Sequence, residues 1–504
     1  MKTLAARHLY AAVAACAVLV YIGALWNSFA MDDLYIIADN PLVRTPAGIW
    51  RAFAEPYWPR AFGGEMYRPL VIASFAIDRL LDGPTWFHVV NVCWHAGVAV
   101  VVAALVRRWS GAEAALVAGL LFAVHPVHVE AVANVVGRAE MMAAGFSLLA
   151  LYAAVERHSV GWSAAALLLG LLSKENAAVT PGLIVLAWLL GLGRPLRRTQ
   201  LAFAASWVAV GAGYALVRWL VLHPYAAWDA IAPVFQGVHP SAVVLTAVAA
   251  FADTARLLLF PQTLRADYSP QERTLVGSAG DGRFLLGLAV FVAWAGLLAW
   301  AWRRGRRLET FGLGWIAIAY LPVANLLFPT GVLVAERTLY LPSVGAVVAF
   351  AAWAQSWPSS PRALRFVVPA LVLLGAIRTV ARVPVWRDDK TVTESILEDS
   401  PDSYRGPART GGLLLSAGHS EKALAAYRAA AAIFDRDPTV FVGAADAAYT
   451  LDQPALADSL LWRADRLCRG CTGYLRAQAR AAASRGDART AEWLESRAAE
   501  LDRR

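Results

Sequence analysis

A chain of 504 residues that is 58% apolar and only 16% charged, with a mean hydropathy of +0.49, carries more apolar surface than one soluble core can bury, so a purely soluble enzyme is excluded. The formal charge of +9 does not indicate nucleic acid. Its basic residues fall in short clusters between apolar runs (Arg107-Arg108, Arg194 to Arg198, Arg303 to Arg307), a positive-inside pattern with no basic stripe interleaved with aromatics.

A helix needs about 20 apolar residues to cross a bilayer. The first such run, 9-30, follows Lys2 and Arg7 and is too long for a signal-peptide core, so it reads as a crossing. Ten more are predicted at 86-106, 112-126, 140-156, 161-175, 177-193, 200-221, 284-302, 311-328, 339-357 and 364-383, which makes about eleven in all. A further apolar segment, 241-260, carries Asp253 and Arg256. The two flanking basic clusters both belong on the cytoplasmic side, so an even number of crossings must separate them, and 241-260 is expected to lie along the interface or to re-enter. With the N-terminus inside, loops 31-85, 125-139, 222-283 and 329-338, and everything after about residue 384, fall on the outer side.

After Arg382 the composition turns to Ala, Arg, Asp and Glu, and a 34-residue period emerges. Gly418, Asp452 and Gly486 share one position, then Ala423, Ala457 and Ala491, then Tyr427, Leu461 and Glu495, then Ala430, Ala464 and Ala498. Small residues where paired helices approach, with a turn residue five positions earlier, form the tetratricopeptide signature. The expected organisation is all-α: a polytopic membrane helix bundle over 1-385, then a tetratricopeptide α-solenoid over 386-504 that offers a concave surface to a protein or peptide. Cys468 and Cys471 make one CxxC, read as a local disulfide or as nothing functional.

The candidate chemistry lies in the outer loops. Asp32 and Asp33 follow the first run. Adjacent acids near a low-dielectric surface can keep one member basic enough to accept a proton. Arg68, in Tyr67-Arg68-Pro69-Leu70, is suited to an anionic leaving group. The next loop packs His125, His128, Glu130, Asn134, Arg138 and Glu140 between two apolar helices. His125, His128 and Glu130 allow a metal site, but their spacing is not HExxH, and no metal is assigned. Ser173-Lys174-Glu175 interrupts an apolar stretch, where an ion pair neutralising a hairpin is the simpler reading. Glu336-Arg337 sits on the last outer loop before the repeat domain, and an Arg beside lipid can grip a phosphate bidentately.

Taken in order, Asp32-Asp33, Tyr67-Arg68-Pro69-Leu70, His88 with Asn91 and His95, the His125 to Glu140 block, Ser173-Lys174-Glu175 and Glu336-Arg337 through Ser343 resemble the transmembrane and tetratricopeptide repeat O-mannosyltransferases and their bacterial relatives. The resemblance covers nearly the whole chain and implies the C-type fold of glycosyltransferases that use polyprenyl-phosphate sugars. It implies a catalytic base at Asp32 or Asp33, with Asp32 favoured because the related motif pairs Asp with a following acid. It further implies donor-phosphate contacts at Arg68, Arg138, Lys174 and Arg337, and a second acidic or polar set at His125, His128, Glu130, Glu140, Glu175 and Glu336.

The reaction expected is inverting transfer of a sugar, mannose among the candidates, to an acceptor hydroxyl, with protein the expected acceptor, at the outer face of the cytoplasmic membrane. No cofactor is obligatory, and a divalent cation at the acids is the alternative. Two other classes stand beside this one: a non-catalytic scaffold whose repeats recruit envelope proteins, and a lipid or sugar transporter, for which the hydrophobic pattern offers no inverted repeat.

Overall fold

The computed structural model describes residues 6-59, 66-81, 83-223, 231-356, 361-467 and 472-501, and every regular element among them is helical. In chain order the membrane part runs through α1 (Ala6–Tyr21), α2 (Pro69–Asp78), α3 (Pro84–Ala123), α4 (Val129–Ala133), α5 (Arg138–Val155), α6 (Val160–Ser173) and α7 (Thr180–Leu189). It continues through α8 (Arg197–Leu222), α9 (Pro240–Leu259), α10 (Gly282–Arg303), α11 (Arg307–Tyr320), α12 (Tyr340–Ser356) and α13 (Pro361–Arg382). Eight helices among the described residues are long and apolar enough to cross a membrane, and α6 and α7 are shorter apolar helices. This is an integral membrane protein with a helical bundle.

Three sequence expectations change in detail. The segments 86-106 and 112-126 form the single 40-residue run α3, broken only at Gly111, whose φ of +84° suits a residue without Cβ. The 311-328 segment stays α-helical only to Tyr320, then tightens into a 3₁₀ turn over Leu321–Val323. The 241-260 segment is one unbroken helix, α9, which rules out a re-entrant hairpin. Its length and hydropathy would let it cross. Yet the Gln236 carbonyl just before it accepts from Arg436 at 2.6 Å, and the Leu258 carbonyl near its end meets His125 Nε2 at 3.0 Å. The chain just before α9 thus touches the repeat part, and the last turn of α9 touches His125.

Central and peripheral helices differ in what they bury. The 135-155 span is 78% buried inside the protein, whereas the spans of α8 and α10 are 11% buried with rows of exposed Leu, Val and Trp, which fits a lipid-facing coat. Tight crossings rely on glycine: a Cβ on Gly312 of α11 would stand 2.5 Å from the Gly345 carbonyl of α12. The basic clusters gather at the end away from the acidic loops, where Arg108 pairs with Glu156 at 2.7 Å and Arg306 reaches Ser356 at 3.1 Å.

Beyond α13, a 3₁₀ turn (Val383–Trp386) leads into α14 (Asp389–Asp399), α15 (Arg405–Ser416), α16 (Ser420–Ile433), α17 (Pro438–Thr450), α18 (Pro454–Leu467), α19 (Thr472–Ser484) and α20 (Ala488–Leu501). Helices 15 to 20 pack as consecutive pairs. The turns fall where the 34-residue period puts them, with φ of +79° at Gly418, +59° at Asp452 and +83° at Gly486. Ala423, Ala457, Ala430, Ala464 and Ala498 are all buried between helices, as are Tyr427 and Leu461, while Glu495 is exposed. Cys468 and Cys471 lie outside the described residues.

Candidate functional site

Four stretches of connecting chain converge at the polar end: the turn after α1, the 124-137 turns, the 264-268 segment and the approach to α12. Between them lies a cleft bordered by Asp32, Glu130, Asn134, Arg265, Tyr268, Arg337, Trp386 and Arg405, among others. The turn that delivers Asp32 begins at Met31, whose φ of +54° is unusual for a side-chain-bearing residue. The Met31 N–H is anchored by Asp389 Oδ1 at 3.0 Å, which ties this turn to α14.

The two aspartates point to different surroundings. Asp32 is half-buried and borders the cleft. Asp33 is 1% exposed and accepts three backbone N–H groups: Val136 at 2.8 Å on Oδ1, and Ala30 and Val135 at 3.3 Å each on Oδ2. Burial pushes its carboxyl up to about 7, and the three N–H donors pull the other way. Asp33 thus locks the first loop to the 134-137 turn.

Each cation expected from sequence is found with a carboxylate. Arg337 pairs with Glu130, which also accepts the Arg337 backbone N–H at 2.8 Å. Lys174 pairs with Glu140, and Arg68 makes a two-pronged contact with Glu175 at 3.0 and 3.1 Å. These pairs lie near one another: Arg337 feels the charges of Asp32 and Glu140, and Lys174 those of Arg68 and Arg337. Asp32, Arg68, Glu130, Glu140, Lys174, Glu175 and Arg337 therefore make one charged cluster, with Asp32, Glu130 and Arg337 on the cleft itself.

Arg138 does not join them. It is fully buried, and four of its five N–H groups meet Asp78 at 2.5 Å, Asn91 Oδ1 at 2.8 Å, the Phe87 carbonyl at 2.8 Å and Ser74 at 3.1 Å, away from the cleft lining. Glu336 is buried too, accepting the Arg265 N–H at 2.5 Å and the Tyr268 hydroxyl at 3.0 Å; it holds the 264-268 segment in place. His125 caps its own turn by accepting the Val127 N–H at 3.3 Å, with its other nitrogen on the Leu258 carbonyl. His128 contacts Ser343 Oγ at 2.8 Å within an aromatic cluster of Phe122 and Tyr340, and burial holds its imidazole well below the usual range, hence neutral. Among the described residues no three His, Cys, Asp or Glu side chains are grouped to hold a metal ion.

The cleft also contains residues that sequence reasoning passed over. Arg265 and Tyr268 come from Leu264-Arg265-Ala266-Asp267-Tyr268, a polar island after an apolar helix that was visible as a pattern. Arg405 comes from α15, past the membrane part, and is steered by Asp267, whose Oδ1 is 3.6 Å away and whose Oδ2 accepts from Ser403 at 2.5 Å. Nothing local in the sequence signals that contact across about 140 residues.

No family model matches the sequence. Three curated proteins resemble it over most of its length. The protein O-mannosyl-transferase TMTC4 of Homo sapiens is 28% identical over 494 residues, covering 82% of this chain and 65% of that protein. TMTC1 of Homo sapiens is 28% identical, covering 84% of this chain and 55% of its own, and TMTC3 of Mus musculus is 28% identical, covering 82% and 49%. The family resemblance read from the motifs is borne out by these relatives. The chain spans between about half and two thirds of their length. Among solved structures, the Archaeoglobus fulgidus oligosaccharyltransferase tethered with an acceptor peptide is similar at a TM-score of 0.37 and 13% identity, over 83% of this chain and 58% of that one, too slight a likeness to bear on the fold.

Proposed function

We propose that the chain is a membrane glycosyltransferase that moves a sugar, mannose by analogy with the relatives' names, from a polyprenyl-phosphate donor to a hydroxyl of a protein. The observation that carries this reading is the shared cleft, where Asp32 and Arg337 border one opening at the lipid-adjacent polar end while Asp33 is saturated by backbone donors. Asp32 is the base. It accepts the acceptor's hydroxyl proton as that oxygen bonds to the anomeric carbon, the carbon–oxygen bond to the lipid phosphate breaks, and the configuration inverts.

Arg337, backed by Lys174 and Arg68, meets the charge that gathers on the departing phosphate. Glu130, Glu140 and Glu175 hold those cations in position. Arg138 has no place in this scheme. Phosphate is already a good leaving group and the cations are supplied by the chain, so no metal is obligatory, and transfer should survive EDTA.

The cleft faces the extracytoplasmic side of the cytoplasmic membrane, with the N-terminus and the basic clusters on the other. Residues 386-504 form a tetratricopeptide repeat domain next to the cleft, where a concave surface would receive the protein to be modified; support comes from the recurring turn geometry and from Arg405 reaching the cleft. The test is direct: purified protein in lipid nanodiscs, incubated with polyprenyl-phosphate mannose and Ser/Thr-containing peptides, should yield peptides heavier by one hexose. A protein that binds partners through its repeats yet never modifies any substrate across a panel of lipid-linked hexoses would instead be a scaffold.

A further inference from the structure

The Asp32 cleft takes one lining residue, Arg405, from α15, the first helix of the repeat pairs. Its guanidinium is less tied than the other two there, since Arg337 pairs with Glu130 and Arg265 with Glu272. The carboxylate beside Arg405 is Asp267, whose Oδ1 is 3.6 Å away, beyond a hydrogen bond. That carboxylate is already occupied, Oδ1 by the Ser269 hydroxyl at 2.7 Å and Oδ2 by the Ser269 N–H at 3.1 Å and the Ser403 hydroxyl at 2.5 Å. Arg405 Nε donates to the Tyr404 hydroxyl at 3.4 Å, and among the described residues its two terminal nitrogens donate to nothing. The side chain is 40% exposed, so these N–H groups are open to a ligand.

Helix stability gives no reason for an arginine here. Arg405 opens α15, and a cation at a helix N-terminus opposes the helix dipole. Nor is the residue adrift, because its backbone N–H donates to Ser403 Oγ at 3.1 Å. One turn further on, Arg409 pairs with Asp389, the carboxylate that also accepts the Met31 N–H at 3.0 Å. The helix that carries Arg405 thus braces the turn that presents Asp32.

Arg337 and Arg405 look into different parts of the cleft: Arg337 feels Glu130, Asp32 and Glu140, whereas Arg405 feels Tyr404, Asp267 and Asp437. The donor phosphate is met from the bundle by Arg337, Lys174 and Arg68, which leaves Arg405 for the substrate that arrives from the aqueous side. Adjacent N–H donors in a planar fork match a carboxylate. We infer that Arg405 binds an Asp or Glu side chain of the acceptor close in sequence to the hydroxyl that is modified, and so selects which Ser or Thr receives the sugar. The inference rests on the glycosyltransferase reading above and adds the acceptor feature that the cleft reads.

Paired peptides test it, first in the wild type. Protein in nanodiscs is given polyprenyl-phosphate mannose and Ser/Thr peptides that differ only in Asp against Asn, or Glu against Gln, at each position neighbouring the hydroxyl in turn. At the best position the acidic peptide should have a kcat/KM about 10-fold above its amide twin, expressed mainly in KM, and the ratio should shrink as salt is raised. Arg405→Gln should bring the ratio to about 1, and Arg405→Lys, which keeps the charge without the fork, should hold it in between. Kd for polyprenyl-phosphate mannose on the same samples reports that each variant is folded; should Arg405→Gln bind no donor, Arg405→Lys carries the comparison. Equal kcat/KM for acidic and amide peptides in wild type would overturn the inference and leave the transferase standing, as would a preference that survives Arg405→Gln. An Arg405 that serves only to neutralise Asp267 predicts that same unmoved ratio. If wild type modifies no peptide from any hexosyl lipid, the glycosyltransferase reading itself fails, and this inference with it.

Discussion

Removing the Arg337 side chain would strip Glu130, whose side chain is 3% exposed in the intact pair, of its charged partner. Glu130 would keep one bond, the 2.8 Å hydrogen bond from the Arg337 backbone N–H. Breaking a fully buried pair costs about 3-5 kcal/mol because a lone charge is left behind. Arg337 is 32% exposed in its side chain, so solvent already screens part of the interaction. The remaining backbone bond lowers the penalty further, and about 2-3 kcal/mol is expected for Arg337→Ala. The double variant Arg337→Met with Glu130→Leu removes both charges and should regain most of that stability.

Activity should follow a different rule. Both the single and the double variant lose the cation that meets the leaving phosphate, and transfer should fall about 100- to 1,000-fold in each. Graded denaturation in detergent reads the stability, and single-turnover hexose transfer to a peptide reads the activity. A double variant that regains activity along with stability would refute the reasoning, because Arg337 would then matter only as Glu130's counter-ion.

Two further predictions concern residues that sequence alone places in the site. Asp33→Asn keeps one acceptor oxygen and loses the other, so a backbone N–H is left facing an amide, at about 1.5-3 kcal/mol. Because burial raises the folded carboxyl to about 7 from an ordinary 3.8, the native state holds its proton longer than the unfolded chain. This contribution therefore makes wild type less stable as pH rises from about 4 to about 7 and is flat above. Denaturation at pH 5 and pH 8 should show the slope in wild type and its loss in Asp33→Asn; an unchanged slope would remove Asp33 as its source. Arg138→Ala should leave Asp78 buried without its partner and cost about 3-5 kcal/mol, seen as loss of monodisperse protein on size exclusion. A folded Arg138→Ala protein with a raised donor KM would return Arg138 to the phosphate site.

Much of this architecture can be read from one sequence because lipid imposes a coarse rule. Apolar length marks the helices from 9-30 to 364-383, and the 34-residue period marks the turns at Gly418, Asp452 and Gly486. Parity of basic clusters singles out 241-260, which folds as one unbroken helix long and apolar enough to cross. Other features depend on distances that no local pattern carries. A charged residue beside an apolar helix reads alike whether it faces a cleft or is sealed by a partner, so Arg138 and Arg337 look equivalent until Asp78 and Glu130 are seen. The adjacent pair Asp32-Asp33 divides its duties only because backbone N–H groups from 135 and 136, about 100 residues away, saturate one member. Trp386 and Arg405 reach the cleft from beyond the last crossing, where repeat composition draws attention elsewhere.

The account depends most on Asp32 as the group that accepts the acceptor's proton. Asp32→Asn, compared with wild type in the same nanodiscs, should bind polyprenyl-phosphate hexose with little change in Kd and transfer the hexose about 100- to 10,000-fold more slowly, the range for loss of a general base. Transfer by Asp32→Asn at the wild-type rate, with the donor bound equally well, would contradict the account.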